Sequence, residues 1–118
     1  MAFGFRKNFL AERKYPRKYI RGRAISRYGK KNAYAQVLQI GEGGMLLASP
    51  HDVKPGQTMT VRFALPTGTL ELLCEVLYFM RTPAALSGTC VGVRFQKVTD
   101  TERAVIRNFV NMQAARAR

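Results

Sequence analysis

Arg13 and Arg17 stand on either side of Lys14-Tyr15-Pro16. A guanidinium group presents forked N–H donors that match phosphate oxygens in pairs, and its planar face stacks on bases. Proline fixes its own φ and disfavours helix at the residue before it, here Tyr15. The two arginines therefore sit on a bent or extended segment, where both can close on one polyanion. Little else in the chain suggests chemistry. The single histidine, His51, falls in the turn-like Pro50-His51-Asp52 and reads as solvent-exposed, without a second histidine for a metal or a nucleophile motif around it. Glu71 and Glu75 share one face of a strand-like run. At ~3.3 Å per residue they stand about 13 Å apart, beyond the spacing of paired catalytic carboxylates. Cys74 and Cys90 lack metal-ligand spacing and read as buried free thiols. An enzyme is not expected.

Charge is unevenly placed. Residues 1–31 hold eleven Lys/Arg against one acid, Glu12, a net of +10, whereas residues 32–118 hold nine against six, a net of +3. A segment so cationic attracts phosphate, nucleic acid or acidic protein, and the plainer alternative is a solubilising tail. Tyr15, Tyr19, Tyr28 and Tyr34 interleave with basic residues, which leaves a nucleic-acid-binding β-barrel as one reading, since aromatic rings stack on bases. The 118 residues suit a single domain. No apolar run approaches the roughly 20 residues of a transmembrane helix. Met1 to Lys7 lacks the apolar segment of a secretory signal. A cytoplasmic location is expected.

The elements that must position the arginines read as mostly β. Residues 1–18 form a basic N-terminal segment and arginine linker, with a short helix over 1–12 in which Phe3, Phe9 and Leu10 share a face. Residues 19–118 form the folded unit. Strands are predicted from Tyr19 to Ile25 and from Ala33 to Ile40, the latter with Tyr34, Val37 and Leu38 towards the core. Gly41-Glu42-Gly43-Gly44 reads as a tight turn using glycine's tolerance of positive φ. Strands follow at Met45–Ala48, Met59–Leu65, Leu70–Met80 and Thr89–Val98, separated by turns at 52–57 and 66–68 and a loop at 82–88. Short connections between successive strands predict an antiparallel barrel or sandwich. Thr99-Asp100-Thr101-Glu102 fits a capping box, and Val105, Ile106, Phe109 and Val110 recur at helical spacing, so a helix is predicted from Thr101 to about Gln113.

Taken in order, the Arg13-Lys14-Tyr15-Pro16-Arg17 linker, the Gln39-Ile40-Gly41-Glu42-Gly43-Gly44 turn with Met45-Leu46-Leu47 after it, the Val91-Gly92-Val93-Arg94-Phe95 strand and the closing helix resemble the PilZ domain family of cyclic di-GMP receptors. The resemblance runs from Glu12 to about Gln113. It implies a six-stranded, antiparallel, split β-barrel with a C-terminal helix and a flexible basic linker. It also implies cyclic di-GMP as ligand, with no cofactor or metal. By resemblance, Arg13 and Arg17 bind phosphate and guanine, while Gln39, Gly41 and Gly44 form the opposing wall. Binding would fold the linker onto the barrel and signal to a bacterial protein effector in motility, adhesion or exopolysaccharide control.

The chain departs from the family pattern twice, with Gln39 where the family has Asp or Asn and Gly41 where it has Ser. Each lost hydrogen bond costs about 0.5–1.5 kcal/mol, and more where a ligand group is left buried and unpaired, so together such losses weaken binding by roughly one to three orders of magnitude. A nucleotide-independent adaptor is therefore the alternative reading.

Overall fold

Six antiparallel strands close on themselves in a computed structural model that describes residues 17–80 and 89–116. They are β1 (Arg17–Tyr28), β2 (Lys31–Gly41), β3 (Gly44–Ser49), β4 (Thr58–Leu65), β5 (Gly68–Met80) and β6 (Thr89–Phe95), followed by helix α1 (Asp100–Arg116). Around the barrel the order is β1-β2-β3-β6-β5-β4, and β1 pairs with β4 to close the ring. The helix expected over 1–12, Arg13 and the loop at 82–88 lie outside the described residues.

Period-two alternation builds the wall. In β4, Met59, Val61, Phe63 and Leu65 are buried while Thr58, Arg62 and Ala64 are exposed, because successive side chains of a strand point to opposite faces. Leu70, Leu72, Cys74 and Val76 of β5, Val91, Val93 and Phe95 of β6, and Met45 and Leu47 of β3 fill the same interior. Ile106, Phe109 and Val110 of α1 join that core. The helix begins as its sequence directs. The Thr99 amide donates to Glu102 Oε1 at 2.9 Å, and the Glu102 amide donates to Thr99 Oγ1 at 3.1 Å, the reciprocal pair of a capping box. Thr67 Oγ1 donates to the Val105 carbonyl at 2.8 Å and ties α1 to the β4–β5 turn.

Turn chemistry sets the connections. Tyr28 and Lys31 are register partners across a two-residue loop whose first residue, Gly29, has φ 61°, as in a type II′ hairpin. The Gln57 amide donates to the Lys54 carbonyl at 3.1 Å around Pro55 and Gly56, the glycine at φ 91°, as in a type II turn. Positive φ does not occur at Gly41, Gly43 or Gly44, contrary to the sequence expectation. Gly44 is needed for a different reason: a Cβ there would stand 2.2 Å from the Val93 carbonyl oxygen of β6.

Register shifts fall at one level of the barrel. β1 shifts against β2 between Tyr19 and Gly22, β2 against β3 between Val37 and Gln39, and β5 against β6 between Val76 and Tyr78. An extra residue in a strand reverses which side chains face inward beyond it. Leu38 is the extra residue of β2, so Val37 and Ile40 are both fully buried while Gln39 is half-buried.

Several expectations change. β1 starts at Arg17, two residues before the predicted strand, and β6 stops at Phe95 instead of Val98. Tyr34 is 83% exposed, not in the core, because Val37 faces inward and places Tyr34 on the opposite face. His51 is buried, not exposed: its Nε2 lies 3.1 Å from the Ser26 carbonyl, its amide donates to Ser49 Oγ at 3.2 Å, and its ring rests near Tyr28. Cys74 and Cys90 are buried and outside any disulfide, as expected.

Gly44→Ala should destabilise the fold by about 2–3 kcal/mol, the scale of overpacking against an unyielding neighbour. Urea unfolding measures this, and an unchanged midpoint would contradict the close approach. Burial pushes the Cys74 thiol from an ordinary value near 9 up to about 12. Between those values the folded chain keeps a proton that the unfolded chain loses. This contribution is therefore complete below pH ~9 and declines by about 1.4 kcal/mol per pH unit up to pH ~12. The stability advantage of the native chain over Cys74→Ala should shrink from pH 8.5 to 10.5, and a constant difference would refute the shift.

Candidate functional site

Strand register carries the linker to the glycine turn. In the β1–β2 ladder Arg17 is the partner of Gly41, Lys18 of Ile40 and Tyr19 of Gln39. Partners in an antiparallel pair stand ~4.5–5.5 Å apart at Cα. Arg17 is thus the first residue of the barrel wall and lies one strand away from the end of β2. Gln39 also pairs with Leu46 of β3, and Gly44 pairs with Arg94 of β6. Four of the five residues singled out in the sequence, Arg17, Gln39, Gly41 and Gly44, gather at one end of β1, β2 and β3. Arg13 lies outside the described residues.

The register shifts shape this end. The bulge at Leu38 leaves Gln39 out of the core, and the shift at Leu77 does the same for Tyr78. Tyr78 lies across Gly92, where a Cβ would stand 2.4 Å from its ring. Gln39, Leu46, Gly92 and Tyr78 are consecutive register partners across β2, β3, β6 and β5. The result is a cross-strand row leading from the linker's end to an aromatic ring.

The turn itself is held from two sides. The Phe95 amide donates to the Gly43 carbonyl at 3.0 Å. Glu42 accepts from Arg107 of α1, Nε to Oε2 at 3.3 Å and Nη2 to Oε1 at 3.4 Å. The Glu42 side chain is only 12% exposed, so this carboxylate points back to the helix. On the next strands, Glu75 accepts from Arg94 and from Gln96 Nε2. Each carboxylate bordering the turn is matched by an arginine. Neither Glu42 nor Glu75 is therefore left as an unmatched negative charge beside the turn, which suits an anion.

Among the described residues, this end offers backbone, the Arg94 guanidinium and the Tyr78 ring. His51, bonded to the Ser26 carbonyl, belongs to the opposite end of β1. Among the described residues no group of three or more His, Cys, Asp or Glu could hold a metal ion, and no helix is long and apolar enough to cross a membrane. Sequence reasoning missed the Glu42–Arg107 link and the Tyr78–Gly92 stack. The first joins residues far apart in the chain with no local pattern. The second had one signal, the glycine inside Val91-Gly92-Val93, since glycine within a strand often marks a close approach.

Solved structures with this fold include the PilZ domain of Escherichia coli YcgR with c-di-GMP, at TM-score 0.72 and 14% identity over 91% of this chain and 95% of that one. The Bacillus subtilis inhibitor of motility MotI aligns at TM-score 0.73 and 14% identity, over 88% of this chain and 52% of that one. The K. pneumonia MrkH–c-di-GMP complex aligns at TM-score 0.71 and 16% identity, over 91% of this chain and 56% of that one. The chain spans about half the length of MotI and MrkH. No curated protein matches by sequence. The PilZ domain model matches residues 11–112, from the linker through the helix, and the chain belongs to the PilZ domain family.

Proposed function

We propose that this PilZ domain binds cyclic di-GMP between the Arg13–Arg17 linker and the Gln39–Gly44 turn, and relays the bound state to a protein partner. The observation that carries this reading is the pairing of Arg17 with Gly41, which joins the linker to the turn. Arg17 and Arg13 supply forked donors to the phosphodiesters and planar faces to the guanines. The Gln39 amide supplies a donor and an acceptor to a guanine edge. Ligand capture would draw the residues before Arg17 onto the barrel, and that change is the signal. The similar YcgR and MrkH structures contain c-di-GMP, MotI is an inhibitor of motility, and MrkH is described as a transcription regulatory factor. Control of motility, adhesion or exopolysaccharide through a protein effector in the cytoplasm fits that company.

A second reading, a nucleotide-independent adaptor, draws on Gln39 and Gly41. These residues replace the acid or amide and the hydroxyl of the family pattern.

Isothermal titration of the folded chain with cyclic di-GMP should release heat at micromolar ligand, and Arg13→Ala/Arg17→Ala should abolish it. Absence of heat at high micromolar ligand would defeat the receptor reading. Gln39→Asp/Gly41→Ser should tighten binding roughly ten- to a thousandfold, the inverse of two lost hydrogen bonds. No gain would show that these two positions do not limit affinity.

A further inference from the structure

Far from the glycine turn, the outer wall of β1 and β2 carries apolar side chains that nothing covers among the described residues. Tyr34 is 83% exposed and Ile25 is 44% exposed, and the two are register partners. A shallow groove of about 260 Å³ runs beside them, lined by Ile25, Asn32, Ala33 and Tyr34. β-branched and aromatic side chains in cross-strand register form a contact platform when something packs on them.

The rim of this platform is cationic. Arg23, Arg27, Lys30, Lys31 and Arg62 are all exposed around it, and Arg62 is the register partner of Ile25 on β4. None of the five forms an ion pair among the described residues. Glu71, opposite Arg62 on β5, is the one acid in register with the patch.

We propose that this face docks an acidic protein surface, which seats one apolar side chain between Ile25 and Tyr34 and sets its carboxylates against Arg23, Arg27 and Arg62. An apolar centre inside a charged rim is the usual anatomy of a protein contact, with Tyr and Arg the residue types that most often anchor one. The barrel is closed, so a partner cannot add as a strand and must meet the wall through side chains. A nucleic-acid strand fits less well. Such strands use successive aromatic platforms, whereas Tyr34 stands beside the aliphatic Ile25 and Ala33, with Glu71 in the same row. The inference rests on the protein-partner half of the proposed function and is independent of nucleotide binding.

The test is selection of a displayed library of random short peptides on the immobilised full chain. Enriched peptides should combine Asp or Glu with Leu, Ile, Phe or Met. A synthesised winner should bind at least about tenfold more weakly to Ile25→Ser/Tyr34→Ser and to Arg23→Glu/Arg27→Glu. Backbone NMR of the unsubstituted chain with the same peptide should shift β1, β2 and β4 positions around Ile25, a readout that survives any folding defect in the variants. No enrichment, purely acidic winners, or shifts confined to the Arg17–Gly44 end would overturn the proposal. So would a short oligothymidylate whose binding, unlike the peptide's, is lost in Ile25→Ser/Tyr34→Ser. Cyclic di-GMP titration of the same variants separates the two readings. Nucleotide binding without peptide docking defeats this inference alone, and peptide docking without nucleotide binding defeats only the receptor reading.

Discussion

The approach of β3 to β6 leaves no room for a single methyl group at residue 44. The Val93 carbonyl occupies the place where a side chain would begin. That proximity lets Gly44 pair with Arg94 and the Phe95 amide reach the Gly43 carbonyl. The turn between β2 and β3 is consequently pinned to the last strand. The same turn is pinned to the helix by Glu42 and Arg107. Its neighbour across the ladder, Arg17, inherits a fixed position for its backbone. The glycine at 44 is therefore explained by packing alone, before any ligand is considered.

Bulges do the remaining positioning. A regular β2 would turn Gln39 inward together with Val37, and a regular β5 would turn Tyr78 inward together with Val76. One inserted residue in each strand sends both side chains to the outer row while the core keeps Ile40 and Val76. The energetic logic is that burial of Ile40 and Val37, each fully enclosed, is worth roughly 1.5–3 kcal/mol per side chain. The irregularity that allows both to be buried is retained, and the polar residue between them is freed for other work.

The parts of the fold that local chemistry dictates were legible in the sequence. Alternation along Met59–Leu65, Pro55-Gly56 in its turn and the Thr99–Glu102 cap each declare themselves within a few residues. Parity was less legible. Tyr34 and Val37 are both apolar enough for a core, and only the ladder decides that the valine faces in. His51 looked like a turn residue because its partners, Ser26 and Tyr28, lie on a strand far earlier in the chain. For the site, residue types were readable from the family pattern, but the pairing of Arg17 with Gly41 was not. That pairing depends on the shift between Tyr19 and Gly22, which no local rule announces.

The strand order has a consequence for how the chain reaches this state. β6 is the last strand in sequence yet lies between β3 and β5. Before it arrives, the other five strands can form only an open sheet, β3-β2-β1-β4-β5, whose two outermost members expose unpaired amides and carbonyls. Open edges of that kind recruit other chains, and pairings so distant in sequence form slowly. β6 removes both edges in one step, because each of its sides meets one of them. Folding and escape from aggregation are thus the same event, and a chain with a damaged β6 would be trapped with two adhesive borders.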